Sequence, residues 1–382
     1  MTQKRKYFLH NLYTVMAEIW SRLLPQLNQK VPLFSLNIGS KTDFVDDLLL
    51  HEQSRMTFVD PFSDNSVLDT FRKKMTPYSK QIKVLQGTPT DALRILHDHS
   101  FDFISFDSGD STGATVVTDA ILAFMVLRSN GIMLFHNYLL GDFLRFPSRK
   151  NAIDTFLTIF RSEYHLVCFI GNYVGIQKNI KATDPLLHPH NPEPPTVEGT
   201  STYTNNWFGA AKPTWEKYLQ EFKGKPVNAL EIGSYEGRSA SWLLDNILTH
   251  TDSHLTCIDP FLYDGTFDRF CRNMNKYGKR ITLYQAFSEN ALRRLSDQSF
   301  DFIYVDGAHT AKNVLMDAVL SFLLLAPGGI MLFDDYTFGD LYSDTSVKTG
   351  IDAFLSLFRN QYSLVCWSVD FGVWNQVGIR KN

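Results

Sequence analysis

Short runs of β-branched and aromatic residues alternate with longer stretches of helical periodicity along this chain, and the alternation is spelled out twice. In the second half the pattern predicts strands at Val227 to Ile232, His254 to Ile258, Ile281 to Tyr284, Asp301 to Asp306 and Gly329 to Asp334, with helices between them. A helix is expected around Ile351 to Arg359. "YSLVCWSV" and "VWNQVGIR" follow it, separated by "DFG", and read as a closing antiparallel pair. The first half repeats the plan through "LVCFI", "GNY" and "VGIQK". Each half is therefore expected to form an α/β domain, a mostly parallel sheet with helices on both faces.

The repetition extends to the words themselves. "FDFISFDSGD" at Phe101 returns as "FDFIYVDGAH" at Phe300, "FVDPF" at Phe58 as "CIDPF" at Cys257, and "GIMLFHNY" at Gly131 as "GIMLFDDY" at Gly329. The offsets are steady: 259 − 60 and 306 − 107 both give 199, and 329 − 131 gives 198. So long a period is a repeated domain rather than a solenoid unit. Pro185, Pro189, Pro192, Pro194 and Pro195 crowd the segment between the copies and forbid regular structure there. The expected layout is a first domain at 1–180, a linker at 181–204 and a second domain at 205–382.

Composition narrows the class. At 382 residues there is chain enough for two cores, and 44% hydrophobic with 20% charged residues is ordinary for a globular protein. A formal net charge of −3 supplies no basic field for nucleic acid, and no apolar run is long enough to span a bilayer. The four cysteines form no CxxC pair; Cys168 and Cys366 occupy matching places, as buried strand residues would. This usage fits a reducing, cytoplasmic setting.

In "NALEIGSYEGRSASWLL" an apolar strand ends at Glu231, a loop holds Gly233, Ser234 and Gly237, and a helix follows. Glycines there let backbone approach a ligand at the carboxyl edge of the sheet; a bare turn is the alternative. Asp259 closes the next strand, where a carboxylate accepts both hydroxyls of a ribose or else caps the turn before Pro260. Together they point to a nucleoside-containing cofactor.

On these residues, with "FDFIYVDGAHTAKNVLMDAVL" and "APGGIMLFDDY", the second half resembles class I S-adenosylmethionine-dependent methyltransferases of the bacterial O-methyltransferase type, related to the macrocin and catechol enzymes. The resemblance covers nearly all of Trp207 to Lys381. It implies two Rossmann-like methyltransferase domains, each a mostly parallel seven-stranded sheet with an antiparallel last strand. It also implies Glu231, Gly233, Ser234 and Gly237 around the methionine part of S-adenosyl-L-methionine, Asp259 on the ribose, and Phe287 and Ser288 near adenine, with Asp306 alongside.

Methyl transfer from a sulfonium needs the acceptor held in line and its proton removed. Asp306, Asp334 and Asp335 stand where the fourth and fifth strands should end, and oxygen ligands of this kind suit Mg²⁺. His309, three residues after Asp306, is placed to take the proton. The resembled enzymes use the matching acids for a divalent metal and a basic group at this spacing as general base. Without the resemblance, His309 reads equally as a helix-start hydrogen bond and Asp334 and Asp335 as turn residues. Among the nearby aromatics, Trp215 is expected in the core, while Trp207 is open to a lid role.

The first copy departs at these positions. Asn37 replaces Glu231, Asp43 replaces Gly237, Ser108 replaces Gly307, Asp110 replaces His309, and His136 and Asn137 replace Asp334 and Asp335, while Gly39, Asp60 and Asp107 persist. Asp107, His136 and Asn137 are left as weak metal ligands at most. The expectation is a Mg²⁺-assisted O-methyltransferase acting on a small hydroxylated acceptor, a sugar or natural-product scaffold, through the second domain. The first is expected to be a structural or regulatory copy, in an intramolecular pseudo-dimer or a homo-oligomer. Metal-independent transfer to nitrogen or oxygen, and a non-catalytic scaffold, are the alternatives.

Overall fold

The doubled pattern folds as two sheets of one topology. The computed structural model describes residues 15, 17–23, 25–27, 32–39, 45–62, 64–107, 111–139, 147–180, 202–295, 299–339, 345–367 and 375–382. Tertiary contacts divide the chain into two compact units, Met1–Ala182 and Thr183–Asn382. Residues 181–201 of the expected linker, with all five of its prolines, and the "DFG" turn lie outside the described residues.

In the first unit the strands are β1 (Phe34–Ile38), β2 (Arg55–Asp60), β3 (Ile82–Gln86), β4 (Phe101–Phe106), β5 (Leu127–Phe135), β6 (Tyr164–Ile170) and β7 (Tyr173–Lys178). The helices are α1 (Val45–Leu48), α2 (Asn65–Lys74), α3 (Pro89–Ile95), α4 (Gly113–Val126) and α5 (Pro147–Ile159). The second unit has β8 (Asn228–Ile232), β9 (His254–Ile258), β10 (Ile281–Tyr284), β11 (Phe300–Val305), β12 (Leu325–Phe333), β13 (Tyr362–Trp367) and β14 (Val377–Lys381). Its helices are α6 (Lys212–Tyr218), α7 (Arg238–Asn246), α8 (Thr266–Met274), α9 (Ser288–Arg294), α10 (Ala311–Leu324) and α11 (Val347–Phe358).

The strand orders are β3-β2-β1-β4-β5-β7-β6 and β10-β9-β8-β11-β12-β14-β13. β7 and β14 run antiparallel to their neighbours and the other pairings are parallel, apart from the β6 and β13 edges. The order reverses between β1 and β4, and between β8 and β11, which opens a crevice at the carboxyl ends of those strands.

Local chemistry sets this architecture. All six residues of β4 and five of six in β11 are buried, as central strands covered on both faces require. The strand starts are tied by matching carboxylates: Asp102 accepts the Phe34 amide at 3.0 Å, and Asp301 accepts the Asn228 amide at 2.8 Å. Thr112 and Thr310 cap α4 and α10 by accepting amides from the first turn. Trp215, fully buried, meets Phe208, Trp242, Phe302 and Tyr304, so it is a core residue. Cys168 and Cys366 are buried in β6 and β13.

β12 begins at Leu325, four residues ahead of the sequence expectation. The register against β11 jumps from Phe300–Leu325 to Phe302–Ile330, so "APGG" bulges out with Gly328 at φ +79° instead of ending the strand. Among the described residues no helix is long and apolar enough to cross a membrane.

Candidate active site in the C-terminal unit

The crevice is shaped first by backbone. Gly233 follows β8, donates its amide to the Ile258 carbonyl at 2.8 Å and holds φ +88°. A Cβ there would stand 1.8 Å from the Asp306 carbonyl oxygen, so glycine is what lets the ends of β8 and β11 close on each other. Gly237 opens α7 at φ +78°, where a Cβ would lie 2.8 Å from Met274 Sδ. Both glycines thus have packing reasons of their own.

Glu231 is fully buried. Ser239 donates to its Oε1 at 2.6 Å, Ser234 lies beside it, and burial pushes its carboxyl up to about 7. Asp259 is fixed by two loops: Oδ2 accepts the Tyr235 amide at 2.8 Å and Oδ1 the Phe261 amide at 2.6 Å. Each oxygen keeps a further lone pair for a ligand hydroxyl. Tyr235 and Phe261 hold φ +48° and +52°, positions that cost bulky residues about 1–3 kcal/mol. In this pose the Tyr235 ring lies 5.0 Å from Trp207 and 6.2 Å from Tyr263, both well exposed. Phe287 and Ser288 open α9, and the Ser288 hydroxyl serves the buried Asp317 carboxyl, which desolvation raises to about 8.

The residues expected to carry chemistry converge at the ends of β11 and β12. His309 Nε2 is 3.0 Å from Asp335 Oδ2 and 3.9 Å from Asp306 Oδ1. One donor atom from each of Asp306, His309 and Asp335 lies within 4.8 Å of the others. Asp335 sits at φ +55°, with Oδ1 buried and without a hydrogen-bond partner. Asp334 faces elsewhere: it accepts from the Tyr304 hydroxyl and, at 3.3 Å, from Gln376 Nε2. The Tyr304 hydroxyl is also 3.3 Å from Asp306 Oδ2. The single Tyr304 proton is thus shared between Asp334 and the more distant Asp306, which receives the longer bond.

Burial, with repulsion among these acids, raises Asp306 well above the carboxylate range and Asp334 to about 6. Hydrogen bonds to Asp306 and Asp335 lift His309 to about 10, so its imidazolium is the local counter-cation. The two carboxylates of Asp306 and Asp335, one of whose oxygens is buried and unsatisfied, fit a divalent cation, with the His309 imidazole beside them. Phe338 covers the imidazole at 4.7 Å between rings.

The corresponding place in the N-terminal unit is built differently. Asn137 keeps the left-handed backbone of Asp335, at φ +55°, and its Nδ2 donates to Asp107 Oδ1 and Oδ2 at 3.1 and 3.2 Å. Arg149 Nη2 donates to Asp107 Oδ1 at 2.8 Å. His136, 1% exposed, turns its Nε2 to Ser105 Oγ at 2.9 Å. The expectation of a weak metal site from Asp107, His136 and Asn137 therefore gives way to a guanidinium–carboxylate pair. Asn37 donates its amide to the Gly39 carbonyl, and Asp60 accepts the Phe62 amide at 2.6 Å as Asp259 accepts that of Phe261. Asp43, Ser108 and Asp110 lie outside the described residues. Arg149, Tyr304 and Gln376 went unnoticed in the sequence; a comparison of the copies after the fifth strand carries the signal for Arg149.

Strand order, reversed last strand and a glycine loop beside strand-end acids define a Rossmann-like methyltransferase fold. A family model described as a methyltransferase domain matches residues 39–138 and 230–336, more than half of the chain, and the chain belongs to that family. The uncharacterized protein R132 of Acanthamoeba polyphaga mimivirus is 27% identical over 128 residues, 32% of this chain; the match spans 57% of that relative's length. Similar solved structures include the O-methyltransferase from Bacillus cereus in complex with SAH, at 20% identity and TM-score 0.38, covering 46% of this chain and 86% of that one. O-methyltransferase TomG from Streptomyces achromogenes, in complex with SAM, is 16% identical with TM-score 0.37, covering 47% and 81%. N-methyltransferase NodS from Bradyrhizobium japonicum is 17% identical with TM-score 0.34, covering 47% and 89%.

Proposed function

We propose that the C-terminal unit transfers the methyl group of S-adenosylmethionine to a hydroxyl of a small acceptor, in a cytoplasmic setting, and that the N-terminal unit is a non-catalytic copy. The observation that carries this reading is the convergence of Asp306, His309 and Asp335 within 4.8 Å, at the crevice that the Gly233 loop and Asp259 also border. Asp259 would take the ribose hydroxyls, and the Gly233–Gly237 loop, backed by Glu231, the methionine part. Phe287 and Ser288 would border the adenine.

Asp306 and Asp335 would hold a divalent cation, Mg²⁺ by the chemistry of carboxylate donors, with Asp334 supporting them through Tyr304. Such an ion supplies Lewis-acid charge that lowers the pKa of an acceptor hydroxyl. His309 takes the hydroxyl proton while the acceptor oxygen bonds to the methyl carbon; the carbon–sulfur bond breaks, leaving neutral S-adenosylhomocysteine. His309 can accept that proton only when its hold on Asp306 and Asp335 is relieved, since both keep it protonated. The exposed rings of Trp207 and Tyr263, with the half-buried Tyr235 in contact with both, suit a ring-bearing acceptor such as a sugar.

The test is a screen of hydroxylated acceptors with S-adenosylmethionine and Mg²⁺, with and without EDTA, against His309→Ala and Asp306→Asn. Turnover abolished by EDTA and by both variants supports the reading. Turnover indifferent to EDTA and to Asp306→Asn would replace it with metal-independent transfer.

A further inference from the structure

The two units can be put in exact register after their fifth strands. In the first, Tyr138 bonds Asp154 and Lys150 bonds the same carboxylate at 2.6 Å; in the second, Tyr336 bonds Asp352 at 2.8 Å and Lys348 bonds that carboxylate. The differences 336 − 138, 348 − 150 and 352 − 154 are all 198, so Arg149 corresponds to residue 149 + 198 = 347, which is Val347. The first turn of α5 thus places a guanidinium where α11 has a buried isopropyl group.

That guanidinium is committed. Arg149 Nη2 bonds Asp107 Oδ1 at 2.8 Å and the His136 carbonyl at 3.3 Å, and the side chains of Arg149 and Asp107 are only 9% and 11% exposed. Asp107 corresponds to Asp306, and Asn137, in the left-handed pose of Asp335, removes the second carboxylate. Where the C-terminal unit gathers negative charge around a proton on His309, the N-terminal unit pairs its Asp107 carboxylate with a guanidinium of its own. We propose that Arg149 is a built-in counter-cation that takes the place of the divalent ion, so that the N-terminal unit binds no metal and the chain binds one. This rests on the reading of Asp306 and Asp335 as an ion site beside His309. It assigns Arg149 the role of excluding an ion, through charge already in place.

The test counts bound Mn²⁺ by electron paramagnetic resonance in the full-length chain and follows thermal melting of the same samples. Wild type is expected to hold one ion, and Val347→Arg none, because the new guanidinium would occupy Asp306 as Arg149 occupies Asp107. Arg149→Val is expected to lower the melting temperature by taking the guanidinium away from the largely buried Asp107 carboxylate, and Asp107→Asn in the same chain to restore most of the loss. Two ions in wild type, or Arg149→Val melting that Asp107→Asn does not rescue, would overturn the proposal. No Mn²⁺ in wild type would instead remove the metal reading of the C-terminal cluster. The rescue experiment would still report on the Arg149–Asp107 pair, so the two failures are distinguishable.

Discussion

His309 Nε2 stands 3.0 Å from Asp335 Oδ2, a contact that joins the loop after β11 to the loop after β12 and makes a proton the charge that holds them together. Asp306 lies on the other side of the same nitrogen, at 3.9 Å. With the proposed ion, the site would be poised between two occupants, a proton on His309 or a cation on the carboxylates.

That competition fixes a pH dependence. His309 is raised from 6.5 to about 10 by the two carboxylates, so its contribution to stability is fully present below about 6.5 and is lost as pH rises through about 10. A divalent ion bound as proposed to Asp306 and Asp335 would remove the cause of the shift and expel the proton. Calorimetric titration of Mn²⁺ at pH 8, in two buffers of different ionisation enthalpy, is expected to show about one proton released per ion, with affinity rising about tenfold per pH unit in this window. Equal heats in the two buffers would show that His309 and the ion do not compete.

Gly233→Ala is expected to destabilise the C-terminal unit. The new methyl carbon would stand 1.8 Å from the Asp306 carbonyl oxygen, in a backbone already at φ +88°. Left-handed strain of about 1–3 kcal/mol adds to overpacking of about 1–3 kcal/mol. Gly39→Ala, whose Cβ would lie 3.1 Å from the Asp107 carbonyl oxygen, should cost less. Denaturant unfolding of both variants checks the order, and equal losses would contradict it.

Asp317 supplies a second pH test, of opposite chemistry. Burial raises its carboxyl from 3.8 to about 8, so from about pH 4 to pH 8 it stays protonated when folded and ionises when unfolded. The unfolded chain then binds fewer protons, and stability falls as pH rises across that window. Asp317→Asn, which mimics the neutral acid, is expected to flatten the fall in melting temperature between pH 5 and pH 8. Glu231, raised to about 7, keeps part of the slope. An unchanged slope in the variant would mean that Asp317 is ionised in the folded protein.

Much of this was legible in the sequence because it is written in periodicity and in repeated words. Strands buried on both faces, such as Phe302 to Val305, announce themselves as apolar runs, and duplication lets each half check the other. The bulge at Pro327 and Gly328 was not legible, because a proline and glycines read as a strand end until the partner strand is known. At the site, spacing put Asp306, His309, Asp334 and Asp335 at two neighbouring strand ends. Which carboxylate faces His309 depends on side-chain direction, and consecutive residues diverge: Asp335 meets His309, while Asp334 turns to Tyr304 and Gln376. Arg149 was hidden for another reason. It lies 42 residues from its partner Asp107, beyond the repeated words, and only the shared register of the following helix exposes it.

The central claim is that one unit binds the methyl donor and the other does not. Calorimetric titration of S-adenosylhomocysteine into the full-length chain, with Asp259→Ala and Asp60→Ala in parallel, tests it most directly. One site per chain, abolished by Asp259→Ala and untouched by Asp60→Ala, is the predicted result. Two sites, a site lost with Asp60→Ala, or no binding at all would contradict it.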